Sequence, residues 1–310
     1  MSELDDIFAD DWGDDHRSGV VAVVGRPNVG KSSLLNALLG QKIAITTPKP
    51  QTTRRQQLGI LTLPHAQILF TDTPGIHRPH NKLGEYMVAA AENALRDADV
   101  ILWIMDATEP PNASDRLISE KLAKIRQTPV LLILNKVDLL KGVVDFSAHI
   151  ALAPEAKLLH VSALKGTNID KLIEELVALL PLGPRYYPVD QVSDMNMRFI
   201  AAEIIREKII NNTSQEVPHS VAVEIDGFKE EPDRSTISAI IYVEKDSQRG
   251  ILVGKGGSMI KKIGTEARRE LIEQMGTPVH LDLRVKVLPN WRDDEALMRR
   301  MGYRLPTDDD

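Results

Sequence analysis

The 310-residue chain is long enough for two domains, each with a core of its own. With 43% hydrophobic and 26% charged residues it reads as soluble and globular, and no apolar run approaches the about 20 residues that a membrane-spanning helix needs. A net charge of −6 argues against indiscriminate nucleic-acid binding, and the absence of cysteine excludes disulfides and thiolate metal sites and favours a cytosolic address.

Residues 1–16 carry seven acids and no Lys or Arg, and lack the basic and apolar segments of a secretory leader. Residues 1–17 therefore read as a self-repelling, disordered arm. From residue 20, short apolar runs (20–24, 67–70, 100–105, 130–134 and 158–161) alternate with helical stretches (33–39, 117–125 and 169–180). Near-continuous apolar runs suit parallel strands covered on both faces, so residues 18–182 are expected to form a doubly wound, mostly parallel α/β sheet. Pro181, Gly183, Pro184 and Pro188 continue neither a helix nor a central strand, and 183–194 reads as a linker. Residues 195–310 then predict a helix at 197–210 and alternating strands near 221–225 and 236–243. Residues 251–253, a glycine turn, a helix to about residue 275 and a strand at 280–287 follow. This is the pattern of an α+β domain with an antiparallel sheet.

The first chemical motif is Gly25-Arg26-Pro27-Asn28-Val29-Gly30-Lys31-Ser32, followed by Ser33, directly after a predicted strand and before a helix. It matches the phosphate-binding P-loop, whose glycines let backbone N–H groups curl around phosphates at the positive end of a helix. Lys31 is expected to reach the β- and γ-phosphates, and the Ser32 hydroxyl to ligate Mg²⁺. Asp72-Thr73-Pro74-Gly75 follows another strand; there Asp72 would hold Mg²⁺ through water, and the Gly75 N–H would approach the γ-phosphate.

Asn135-Lys136-Val137-Asp138 ends a further strand. A carboxylate at Asp138 pairs the adjacent N1–H and N2–H₂ donors of guanine and is left partly unpaired by adenine, which favours GTP over ATP. Asn135 would brace neighbouring loops, the Lys136 stem would lie along the base, and Ser162-Ala163-Leu164 would offer a backbone N–H to guanine O6. Gly254-Lys255-Gly256-Gly257 matches the G-x-x-G loop with which a KH domain clamps single-stranded nucleic acid. Arg249, Lys261, Lys262 and Arg268 surround it, among seven basic residues against two acids between Lys245 and Arg269. A helix-linking turn beside a solvated helix face would have the same local sequence. The surrounding α+β layout favours RNA, as a KH domain of the type II order.

Together with the loop Gln51-Thr52-Thr53-Arg54, these motifs resemble the Era-like family of ribosome-assembly GTPases, over about residues 19–303. The resemblance implies that a threonine of that loop reaches Mg²⁺ and the γ-phosphate, and its spacing to the arginine favours Thr53, so Lys31, Thr53 and Gly75 form the expected hydrolytic set. It also implies a GTP/GDP switch that binds the 3′ region of small-subunit ribosomal RNA and assists 30S assembly, as a cytoplasmic monomer with some association at the inner face of the membrane. A GTP-dependent membrane-peripheral regulator is the alternative, although no basic amphipathic helix supports it. Ras-like proteins follow the D-x-x-G glycine with a water-orienting glutamine. Here Ile76 stands there, so turnover is expected to be slow. Asn28 resembles an asparagine that helps hold K⁺ in related GTPases, and serves equally as a brace of the loop.

Overall fold

The computed structural model describes residues 13–47, 49, 52–76, 79, 81–214 and 216–303. Most of the expected acidic arm, and Gln51, lie outside the described residues. The described chain falls into two units. The first comprises residues 1–44, 53–78 and 87–194, and the second residues 45–52, 79–86 and 195–310. Residues 183–194 thus group with the first unit.

In the first unit, β1 (Arg17–Val24), β2 (Gln57–Leu63), β3 (Ala66–Asp72), β4 (Val100–Asp106), β5 (Val130–Asn135) and β6 (Lys157–His160) form one sheet of order β2-β3-β1-β4-β5-β6. Every neighbouring pair is parallel except β2–β3. Alternate residues of each central strand serve opposite faces. On one face Val21, Ile68, Leu102 and Ile133 pack with α1 (Lys31–Leu39) and α5 (Ile169–Leu179), through Leu34, Leu35, Leu172 and Leu176. On the other, Ala22, Ile101, Trp103 and Leu132 pack with α2 (Lys82–Arg96) and α3 (Ala113–Leu122), through Ala91, Leu95, Ile118 and Leu122. Each such leucine or isoleucine contributes about 1.5–3 kcal/mol on burial. The short helix α4 (Ser147–Ile150) precedes β6.

Residue 17 opens β1, and His16 is 2% exposed and hydrogen-bonded to the Gly183 carbonyl, so residues 16–17 are part of the fold rather than of the arm. The antiparallel strand β2 has no counterpart among the expected strands. Its burial is irregular, and Gly59 interrupts it for a packing reason: a methyl there would lie 2.6 Å from Leu39 Cδ1.

The second unit contains α6 (Met197–Asn212), the short α7 (Val217–Ser220), β7 (Ala222–Glu231), β8 (Arg234–Val243), α8 (Asp246–Val253), α9 (Ser258–Met275), β9 (Val279–Val287) and α10 (Glu295–Arg300). Ile204, Ile205, Leu252, Ile263 and Leu271 of the helices pack with Ile237, Ile241 and Val279 of the sheet. The expected antiparallel sheet needs correction, because its order is β7-β8-β9 with β8 and β9 parallel. The helices α8 and α9 lie between those strands in sequence, and such a crossover returns the chain in the same direction. Residues 251–253 are the last turn of α8.

Candidate functional site

All the nucleotide motifs emerge at the carboxyl edge of the first sheet, the edge at which open α/β sheets bind ligands. The loop after β1 enters α1 through Gly30, whose φ of 96° is left-handed; a methyl there would lie 2.4 Å from Asn135 Nδ2. Asn28 also takes a positive φ of 67°. Lys31 is buried, its Nζ donating to the carbonyls of Gly25 (3.0 Å) and Arg26 (3.1 Å). Burial pulls its ammonium down to about 8, with Asp72 opposing and Arg26 adding to the shift. An anionic phosphate here would favour the charged ammonium and oppose that shift. Val29 is wholly buried, whereas Ser33 is exposed on the first turn of α1.

Ser32 Oγ, Thr53 Oγ1 and Asp72 Oδ2 lie 3.1 Å from one another in all three pairings. Asp72 is fully buried and its Oδ1 has no hydrogen-bond partner among the described residues. Burial raises its pKa, against the pull of Lys31 and the two hydroxyls. Thr73 Oγ1 donates to the Val23 carbonyl (2.8 Å), tying the end of β3 to β1. Gly75 abuts the P-loop, since a methyl on it would lie 3.1 Å from Pro27 Cδ, Cγ and N. Pro74 is buried, and Ile76 is 0% exposed within the core under α2 and α3, away from any role with water.

At the end of β5, Asn135 Nδ2 donates to the Val29 carbonyl (2.9 Å) and its Oδ1 accepts from Ala163 N–H (3.1 Å). One amide thereby joins the P-loop to the loop after β6. Ser162 Oγ donates to Asp138 Oδ1 (2.5 Å), leaving the carboxylate's other oxygen for a further donor. Leu164 is 80% exposed. Lys136 Nζ donates to the Asn28 carbonyl (2.7 Å) and pairs with Asp106 (2.5 Å). Burial raises the Asp106 pKa, but the bonds from Lys136 and Thr108 outweigh it and hold the carboxyl low. Asp106, at the end of β4, is a partner that the motif reading missed, although its place at a strand end was legible.

In the second unit, Gly254, Gly256 and Gly257 all take positive φ, 72°, 59° and 80°. A methyl on Gly254 would lie 2.8 Å from Met259 Cβ and N, whereas Gly256 and Gly257 have open space within 4 Å. Lys255 is exposed at the tip, and Gly257 caps α9. Along the next turns of α9 runs a groove of about 380 Å³, lined by Ile260, Lys261, Gly264, Thr265, Arg268 and, from β9, Leu281 and Leu283. Two of the expected basic residues, Lys261 and Arg268, thus line it. Lys262 and Arg249 do not; they pair with Glu266 (4.0 Å) and Asp246 (3.0 Å). The apolar lining escaped the sequence, since it joins one helix face to a strand some 20 residues on. Of the aromatic residues, Tyr242, Trp291 and Tyr303 are buried.

Comparison with known proteins agrees with both halves. The model of a 50S ribosome-binding GTPase family matches residues 20–136, and a KH-domain model matches residues 216–292. GTPase Era of Caldicellulosiruptor saccharolyticus is 49% identical over 300 residues, spanning 93% of this chain and 98% of that protein. A crystal structure of Era with MgGDPNP and nucleotides 1506–1542 of 16S ribosomal RNA superposes with a TM-score of 0.90 at 41% identity, covering 94% of this chain and all of that one. A variant of Aquifex aeolicus Era bound to GDP·AlF4⁻ gives a TM-score of 0.88 at 41% identity, over 93% of this chain and all of that one.

Proposed function

Because this chain belongs to the GTPase Era family, and is a GTPase, we propose that bound GTP controls a grip by its KH domain on the 3′ region of small-subunit ribosomal RNA during 30S assembly. The observation that carries this is the groove beside Gly254–Gly257. Its floor of Ile260, Leu281 and Leu283 suits the faces of unstacked bases, and Lys261 and Arg268 suit the phosphates. The open sides of Gly256 and Gly257 let a phosphate backbone approach the loop. The relative crystallised with 16S RNA nucleotides supplies the target class.

In the first unit, Lys31 would bind the β- and γ-phosphates, and Asp138 with the backbone of Ser162, Ala163 and Leu164 would bind guanine. Magnesium fits the oxygens of Ser32 and Thr53 as ligands, because they lie 3.1 Å apart and adjacent ligands of an octahedral ion with bonds of about 2.1 Å lie about 3 Å apart, with Asp72 beside them to hold the ion through water. A hard dication also suits a buried carboxylate with an unpartnered oxygen. When bound, magnesium neutralises charge on the β- and γ-phosphate oxygens. Thr53 and Gly75 would answer to the γ-phosphate. Residues 45–52 and 79–86 group with the RNA-binding unit. We infer that loss of the γ-phosphate is carried along the chain from Thr53 and Gly75 into those segments.

With Ile76 in the core, orienting the attacking water falls to backbone groups, a switch residue, a monovalent cation or a partner, and K⁺ held at Asn28 is one candidate. Turnover is then expected to rise at least about 5-fold in K⁺ over Na⁺, a difference of about 1 kcal/mol in the barrier; equal rates would remove potassium from the account.

We infer a cytosolic location on the small subunit; among the described residues no helix is long and apolar enough to cross a membrane. Co-sedimentation separates this reading from a membrane-peripheral one. The protein is expected to pellet with 30S subunits and not with anionic vesicles, and the reverse result would overturn the proposal.

A further inference from the structure

The outer limb of the P-loop, Arg26-Pro27-Asn28, is held from both sides, on one of them by two residues that the nucleotide motifs do not include. Arg26 Nη2 pairs with Glu109 Oε1 (2.8 Å), and its Nε lies 3.2 Å from Asp115 Oδ2 as an ion pair without hydrogen-bond geometry. Asp115 is 1% exposed, and its carboxylate is fixed by α3 itself, since Oδ2 accepts the Asn112 N–H (3.0 Å) in the capping box. The Glu109 carbonyl is hydrogen-bonded to the buried His149 ring (3.1 Å). On the other side, Lys136 holds the Asn28 carbonyl. Between these anchors, the Pro27 ring stands against Gly75, close enough that a methyl on Gly75 would lie 3.1 Å from it.

We propose that Asp115, with Glu109, is a positioning residue for hydrolysis: by fixing Arg26 it seats Pro27 against Gly75 and thereby aims the Gly75 N–H. A site without a water-orienting side chain depends on backbone placement, and a misplacement of about 1 Å can cost about 100-fold in rate. A charged, buried carboxylate at the start of α3 gives that placement a stiff reference, because the helix it caps is anchored in the core by Ile118 and Leu122. The proposal rests on the role given above to Gly75.

Asp115→Asn keeps the cap acceptor and removes the charge. Its kcat for GTP is expected to fall about 10-fold while the Kd for GDP and the Tm change little. Glu109→Gln, at a half-exposed position that tolerates the change, should lower kcat about 3-fold. In Arg26→Gln, adding Asp115→Asn should cost nothing more, because both changes break one contact. Unchanged turnover in Asp115→Asn, independent effects of the two changes, or parallel losses of Tm and GDP affinity would overturn the proposal. A Gly75→Ala control separates the two layers. If it too hydrolyses GTP normally, the role of Gly75 is at fault; if it is slow while Asp115→Asn is normal, only the clamp is.

Discussion

Asp138→Asn is expected to weaken GTP binding by at least about 100-fold, with xanthosine triphosphate binding the variant better than GTP does. The carboxylate presents acceptors only, and guanine presents two adjacent donors. Ser162 Oγ occupies Oδ1 at 2.5 Å, which sets the orientation of the group toward the base. An amide would keep the shape but turn one acceptor into a donor, so a donor faces a donor in a half-buried site. Leaving such groups unpaired costs about 1–3 kcal/mol each, and sites built on paired hydrogen bonds discriminate by orders of magnitude. Xanthine carries a carbonyl at the 2-position, which accepts from the new amide. Calorimetric titration of both nucleotides checks this. Equal affinity of wild type and variant for GTP would mean that Asp138 does not read the base.

The second large effect is expected at the other end of the chain. Replacing Lys255 and Gly256 together by Asp should lower the affinity for a 3′-terminal small-subunit RNA fragment by about 100-fold and flatten its salt dependence, since phosphate contacts release counterions on binding. Lys255 is exposed at the loop tip, and a methyl on Gly256 would meet nothing within 4 Å, so both new side chains face the ligand's approach. Aspartate tolerates the left-handed backbone that the φ of 59° at Gly256 requires, so the fold is retained. Affinity for GTP should stay within about 2-fold, because its motifs lie in the first unit. RNA affinity unchanged in the variant would refute the loop's role.

The parts of these sites carried by contiguous residues were legible in the sequence. Gly25–Ser32 is a motif because each of its residues answers a local demand: left-handed backbone at Gly30, an ammonium at Lys31, a hydroxyl at Ser32. The same holds for Asn135–Asp138 and for Gly254–Gly257. What stayed hidden depends on pairing across the chain. Nothing near Arg26 in sequence announces Asp115, and Asp115 taken locally is only the third residue of a capped helix. Likewise Leu281 and Leu283 are legible only as residues of a strand at 280–287, and it is the parallel run of β9 beside β8 that brings them next to α9. The direction of β9 was missed because alternation reports that a strand has two faces and says nothing of its sense. The strand β2 was missed because Gly59, there to make room for Leu39, looks like a breaker.

The central claim is that GTP governs the RNA grip, and the most direct measurement is the affinity of the wild-type chain for the same 3′-terminal RNA fragment with a non-hydrolysable GTP analogue and with GDP. The account predicts binding at least about 10-fold tighter in the triphosphate state, a coupling of about 1.4 kcal/mol, with equal and reciprocal strengthening of analogue binding by the RNA. Equal RNA affinity in the two nucleotide states would contradict it.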